Sequence, residues 1–114
     1  MINAFITELD TNMSFNAKID RTPSETQNYA IVYVDDNEVR RPTSTSMSGL
    51  INMRIVNNSS DIDAFLNKWF KTRKRIELMI EANEHMYFVK GCSIKSFTDV
   101  NKEFTIFYNT FKEA

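Results

Sequence analysis

Ser60-Asp61-Ile62-Asp63-Ala64-Phe65-Leu66-Asn67-Lys68-Trp69-Phe70-Lys71-Thr72 is the one stretch of this chain with a convincing helical pattern. Ile62, Phe65, Leu66, Trp69 and Phe70 recur at i, i+3, i+4, i+7 and i+8 and so form a single apolar stripe. Ser60 is positioned to cap the amide of Asp63, and the Asp63 carboxylate to reach back, as in a capping box. Asp61 and Asp63 complement the positive end of the helix dipole, while Lys71, Arg73, Lys74 and Arg75 lie at or just past the negative end. Phe65, Leu66 and Trp69 are the expected contacts of this helix with a core. A lone helix set among strand patterns decides the fold class.

Downstream of the helix, Ile76, Leu78, Ile80 and Ala82 alternate with Glu77, Met79 and Glu81, a period of two. Asn83-Glu84 predicts a tight turn into His85–Ser96, where Met86, Phe88, Cys92 and Ile94 share a parity. A second turn is expected at Asp99-Val100-Asn101-Lys102. Glu103–Phe111 then closes the chain, with Phe104, Ile106 and Tyr108 on one face and Phe107 and Phe111 on the other.

Upstream, Met13–Ile19 is the clearest strand, with Met13, Phe15, Ala17 and Ile19 on one face, and Ala4–Leu9 is a weaker one before it. Tyr29-Ala30-Ile31-Val32-Tyr33-Val34 is β-branched and aromatic on both faces, so it reads as a strand buried on both sides. Asp35–Ser48 holds Arg40, Arg41, Pro42 and five Ser/Thr with almost nothing to bury. It reads as a long polar loop, of the kind that is either functional or mobile in a compact domain. Leu50–Val56 resumes a strand pattern. The order implies a mainly β domain over residues 1–114, an antiparallel sheet closed into a small barrel or sandwich with one helix packed on it.

Fourteen Lys and Arg against fifteen Asp and Glu leave a net charge of −1. That balance argues against a protein built chiefly to bind nucleic acid through its phosphates. No apolar run is long enough for a transmembrane helix, and Met1-Ile2-Asn3-Ala4 does not read as the start of a secretory signal. One cysteine excludes an internal disulfide, and one cysteine with one histidine cannot make a Cys/His zinc site. His85 and Cys92 are an odd number of residues apart, which on a continuous strand puts them on opposite faces unless Gly91 forms a bulge. His85 is therefore expected as a solvated strand-end residue and Cys92 as a core residue. The carboxylate pairs Asp35/Asp36, Asp61/Asp63 and Glu77/Glu81 have no apolar setting suited to acid–base work. Glycine at 49 and 91 alone leaves no Gly-rich phosphate loop. No catalytic, cofactor-binding or metal-binding residue is assigned, and no enzymatic activity is expected.

The basic run Lys71-Thr72-Arg73-Lys74-Arg75 fits dipole complementation and solvation. With Tyr29, Tyr33, Phe88, Phe104 and Tyr108 as stacking platforms it also allows an alternative, a small barrel that binds single-stranded nucleic acid. Strand alternation instead assigns those rings to a core.

Three segments together resemble the tail-tube superfamily, which includes phage tail tube proteins, the Hcp/TssD tube of type VI secretion and the distal-tail proteins of phage baseplates. Met13-Ser14-Phe15-Asn16-Ala17-Lys18-Ile19 is similar to the first strand of Hcp-like proteins. Arg41-Pro42-Thr43-Ser44 resembles their Gly-Arg-Pro-Ser-Ser loop, and Asp61–Phe70 resembles the helix they carry, with a Trp near its end. The resemblance implies a structural subunit of a phage tail or contractile injection apparatus. It implies a homo-oligomeric ring, six-fold in that family, around a channel that passes DNA or effectors, with other tail or baseplate proteins as partners. It further implies a place in the virion tail, or the host cytoplasm before assembly, with no membrane insertion. The assembly loop would be Asp35–Ser48, with Asp35, Asp36, Glu38, Arg40, Arg41, Pro42, Thr43 and Ser44 in it. Pro42 biases Arg41 toward an extended conformation, which would turn the two guanidinium groups outward. They could then pair with Glu77 or Glu81 of a neighbouring copy.

Overall fold

A computed structural model describes residues 1–98 and 102–114. Among these residues, β1 (Ile2–Glu8), β2 (Ser14–Ile19), β3 (Thr26–Val34), β4 (Asn37–Ser46) and β5 (Gly49–Ile55) precede α1 (Ser60–Thr72). β6 (Ile76–Ala82), β7 (His85–Thr98), β8 (Glu103–Tyr108) and β9 (Thr110–Glu113) follow it. The turn expected at Asp99–Lys102 lies, apart from Lys102, outside the described residues.

Six strands form a closed antiparallel barrel in the order β6-β1-β2-β5-β8-β7, with β6 pairing back onto β7. Every barrel strand is hydrogen-bonded on both sides, so the aggregation-prone edges of an open sheet are removed. The expected inward faces of three strands are observed: Phe15, Ala17 and Ile19 on β2, Leu78, Ile80 and Ala82 on β6, and Phe104, Ile106 and Tyr108 on β8 are all buried.

β7 departs from its expected face. Tyr87 and Val89 point inward, followed by Cys92, while Met86 and Phe88 are half-buried. The cause is a bulge: Leu78 faces Val89 and Ile76 faces Cys92, so two β7 residues, Lys90 and Gly91, oppose Glu77 alone. Gly91 has φ +66°, and a Cβ there would lie 2.7 Å from that of Asn109. Both facts call for glycine. At the same place the partner strand bends, so that β8 ends and β9 runs along the β7 segment Tyr87–Lys90.

The helix caps one end of the barrel. Ile62, Leu66 and Trp69 are buried in the common core, and Phe65 is half-buried with its ring between those of Phe15 and Trp69. Trp69 meets Phe104 edge-on at 6.5 Å, and its indole N–H donates to the Lys74 carbonyl at 2.9 Å. The N-cap is Ser59, not Ser60: its hydroxyl accepts the Ile62 amide at 3.3 Å and its carbonyl the Asp63 amide at 3.0 Å. The expected capping box does not form because the Asp63 carboxylate is taken by the Asn58 amide at 3.0 Å and the Lys102 ammonium at 3.1 Å. These two groups hold Asp63 below its ordinary pKa range.

The largest correction concerns residues 26–46. The polar segment read as a loop is strand β4, and with β3 it forms a long two-stranded hairpin outside the barrel. Asp35 and Asp36 have φ of 50° and 63°, the double positive φ of a type I′ turn. β3 is not buried on both faces, since Tyr29, Ile31 and Tyr33 are 53%, 59% and 70% exposed. It leaves the barrel at the end opposite the helix and, among the described residues, pairs only with β4. The molecule is accordingly elongated, 62 × 28 × 25 Å, with a radius of gyration of 16.9 Å. A compact chain of this length would have about 13 Å.

Candidate assembly interface

The hairpin, or arm, is anchored by hydrogen bonds at its root. The Ser24 amide donates to the Tyr108 hydroxyl at 3.4 Å, and a Cβ on Gly49 would fall 2.6 Å from that same oxygen. The Asp20 carboxylate accepts the Asn52 backbone amide at 2.9 Å and its side-chain amide at 2.8 Å. Arg21 Nε donates to the Leu50 carbonyl at 2.6 Å. The segment from β2 into the arm is thus tied to β5 and β8, and the segment out of it runs through Met47 and Ser48 straight into β5.

Along the arm, chemistry changes from root to tip. Near the root the contacts are polar: Gln27 Nε2 donates to the Ser44 carbonyl at 3.0 Å and Asn28 Nδ2 to the Ser44 hydroxyl at 3.2 Å. Thr43 lies at the register shift beside Asn28 and Tyr29, and β4 tolerates Pro42 because its outer edge has no partner strand. Toward the tip, Ile31 faces Arg40 and Tyr33 faces Glu38 across the ladder, so these side chains share a face with Tyr29. The Arg40 guanidinium lies 5.5 Å from the Tyr29 ring centroid, and the Tyr33 hydroxyl donates to Glu38 Oε1 at 3.3 Å. Arg41 faces Ala30 and is on the opposite side of the ribbon. Strand geometry therefore separates the two guanidinium groups that a loop would have presented together. Asp35 and Asp36 form the tip.

Glu77 and Glu81 lie on the outer face of β6, and no ion pair among the described residues joins them to Arg40 or Arg41. The five aromatics considered as stacking platforms divide: Phe104 and Tyr108 are core, Phe88 is half-buried, and Tyr29 and Tyr33 are on the surface. Core packing thus accounts for only part of that set. Apolar composition in Tyr29–Val34 was the signal for the exposed strip, but composition alone cannot tell a buried strand from an unburied one.

His85 is at the exposed end of β7, with Nδ1 2.6 Å from Glu113 Oε1. Cys92 is fully buried, and burial pushes its thiol up to about 12, well out of reach of a neutral-pH nucleophile. The Gly91 bulge cancels the parity argument that separated the two residues, but they pair with opposite ends of β6, Ala82 and Ile76. At strand rise this is roughly 20 Å.

One buried charge was not anticipated. Glu8, 2% exposed at the end of β1, accepts the Asp10 amide at 2.8 Å, the Thr11 amide at 2.7 Å and the Thr11 hydroxyl. Burial opposes its ionisation, but these bonds and the Lys74 charge outweigh it and hold the carboxyl below its usual range. These bonds close the β1–β2 turn on the Glu8 carboxylate.

No family model matches the chain, and no curated protein does either. No helix among the described residues is long and apolar enough to cross a membrane.

Proposed function

We propose that this protein is a structural, non-enzymatic subunit that assembles with copies of itself into rings of the tail-tube kind, as part of a phage tail or related injection apparatus. The observation that carries the reading is the arm. It presents Tyr29, Ile31 and Tyr33 to solvent and makes no ladder with its own barrel. An isolated two-stranded hairpin is marginal in water, so an apolar one held out on an anchored root suits a surface that another molecule covers. The resemblance of three sequence segments supports the same reading, although one of them, Arg41-Pro42-Thr43-Ser44, lies in strand β4 and not in a loop. Six-fold symmetry, a channel, and tail or baseplate partners follow from that resemblance.

The test is to replace residues 28–44 with a short Gly/Ser turn. The intact protein at high concentration should give rings or stacks in negative-stain images and fast-sedimenting species, and the shortened form should stay monomeric with an unchanged thermal midpoint. An intact protein that remains monomeric, or a shortened one that forms the same rings, overturns the reading. A second reading is favoured by Arg40 stacked beside the exposed Tyr29, an arrangement that also suits single-stranded nucleic acid. Steeply salt-dependent binding of single-stranded oligonucleotides, lost in Tyr29→Ala/Tyr33→Ala, would support it.

A further inference from the structure

We propose that the arm of one copy seats on the outer face of β1, β6 and β7 of a second copy, with Arg40 against a β6 carboxylate, Glu77 or Glu81. This rests on the self-assembly reading above and adds the receptor surface to it.

The barrel exterior is mostly polar, but this face is not. Register places Phe5 beside Glu81, Glu81 beside Met86, and Met79 beside Phe88, so their side chains form one continuous outward patch across three strands. Phe5 is 39% exposed, and Met79, Met86 and Phe88 are only half-buried by their own sheet. Two open recesses border the patch. One, of about 510 Å³, runs between Phe5, Glu81 and Met86, and the other, of about 450 Å³, between Glu77, Phe88 and Lys112.

The arm matches this surface in kind. Its strip of Tyr29, Ile31 and Tyr33 supplies rigid apolar groups on one face, with Arg40 and Glu38 on that same face. The receptor supplies an apolar centre with Glu77 and Glu81 on β6 and Lys112 opposite Phe88. Methionine and phenylalanine accept aromatic side chains well, and an Arg fork suits a single carboxylate, here either Glu77 or Glu81. A copy cannot seat its own arm there, because its arm is anchored pointing away from the barrel. The contact is therefore between copies, and it is heterologous, as ring closure requires.

Charge reversal tests the pairing on the full-length chain. Arg40→Glu alone and Glu77→Arg/Glu81→Arg alone should each fold with a wild-type thermal midpoint yet sediment as monomers. The chain carrying all three reversals should assemble again. A second test bypasses charge: Tyr33→Cys/Met79→Cys should give disulfide-linked multimers under oxidation, whereas either cysteine alone should not. If replacing the arm abolishes assembly but reversal on β6 leaves it intact, or the triple variant stays monomeric and the cysteine pair does not crosslink, the receptor face is elsewhere while the self-assembly reading stands. If the wild-type chain itself never assembles, both fall.

Discussion

The barrel and the arm are made of strands of similar length and overlapping composition, yet the inward-facing apolar side chains of the barrel are buried and none of the arm's is. Ile51 in β5 is fully buried and Ile31 in β3 is 59% exposed, although both lie mid-strand beside another apolar residue. The difference lies in closure. A barrel strand has neighbours on both sides and a filled interior, so its inward face is determined twice, by register and by packing. The arm has one ladder and no layer beneath it, so its side chains are ordered by cross-strand pairing alone. Stability should therefore be concentrated in the barrel and helix, and association in the arm.

The sharpest way to break this contrast is at Trp69. Its ring fills the helix end of the barrel against Phe65 and Phe104, and its N–H has a carbonyl partner. Trp69→Ala should cost about 3–5 kcal/mol in urea unfolding, as large core truncations do. A loss below about 1 kcal/mol would mean that the helix is not part of the cooperative core.

A smaller effect, with a pH signature, is expected at Glu8. The folded-state pKa is lowered from 4.5, so the ionised carboxylate stabilises the fold above the ordinary carboxylate range, and this contribution is lost as pH falls through the lowered value. Glu8→Gln should cost about 2 kcal/mol at neutral pH, the scale of hydrogen bonds to a charged group. The gap between wild type and variant should narrow steadily in melts below pH 4.5. A gap independent of pH would show that shape, and not charge, holds the β1–β2 turn.

Much of the barrel was legible in the chain because burial writes itself into sequence. β2, β6 and β8 alternate cleanly where one face meets the core, and the helix stripe of Ile62, Leu66 and Trp69 is the same signal at another period. Three features were not legible, each for a physical reason. Parity along β7 breaks at Gly91, and whether a lone glycine makes a bulge depends on the neighbouring chain, here Asn109. The helix cap fell to Ser59 because Asp63 is drawn away by Asn58 and by Lys102 from a distant segment. β4 carries no alternation at all, since neither of its faces is buried by the chain, so Asn37–Ser46 has the composition of a loop. Its only local sign was Asp35-Asp36 between extended segments, a weaker I′ turn signal than Asn-Gly or Asp-Gly. A loop reading of the candidate assembly residues therefore gives way to a strand, which is why Arg40 and Arg41 part company.

The smallest expected effect sharpens the contrast most, because it compares one substitution in both regions. Ile51→Ala removes a fully buried side chain and should cost about 2–5 kcal/mol, whereas Ile31→Ala removes one that water already reaches. Truncation on the arm leaves no cavity, since no layer packs over Ile31, and its ladder bonds to Arg40 are made by the backbone and survive. The monomer should therefore change by less than about 0.5 kcal/mol, the range of ordinary surface substitutions. Assembly should respond in the opposite order, with Ile31→Ala weakening self-association at a concentration where the monomer melts as wild type. Monomer unfolding and sedimentation of the same two variants separate these outcomes. A loss of monomer stability at Ile31 comparable to that at Ile51 would place the arm inside the fold's own core, and the division of labour between the two regions would not hold.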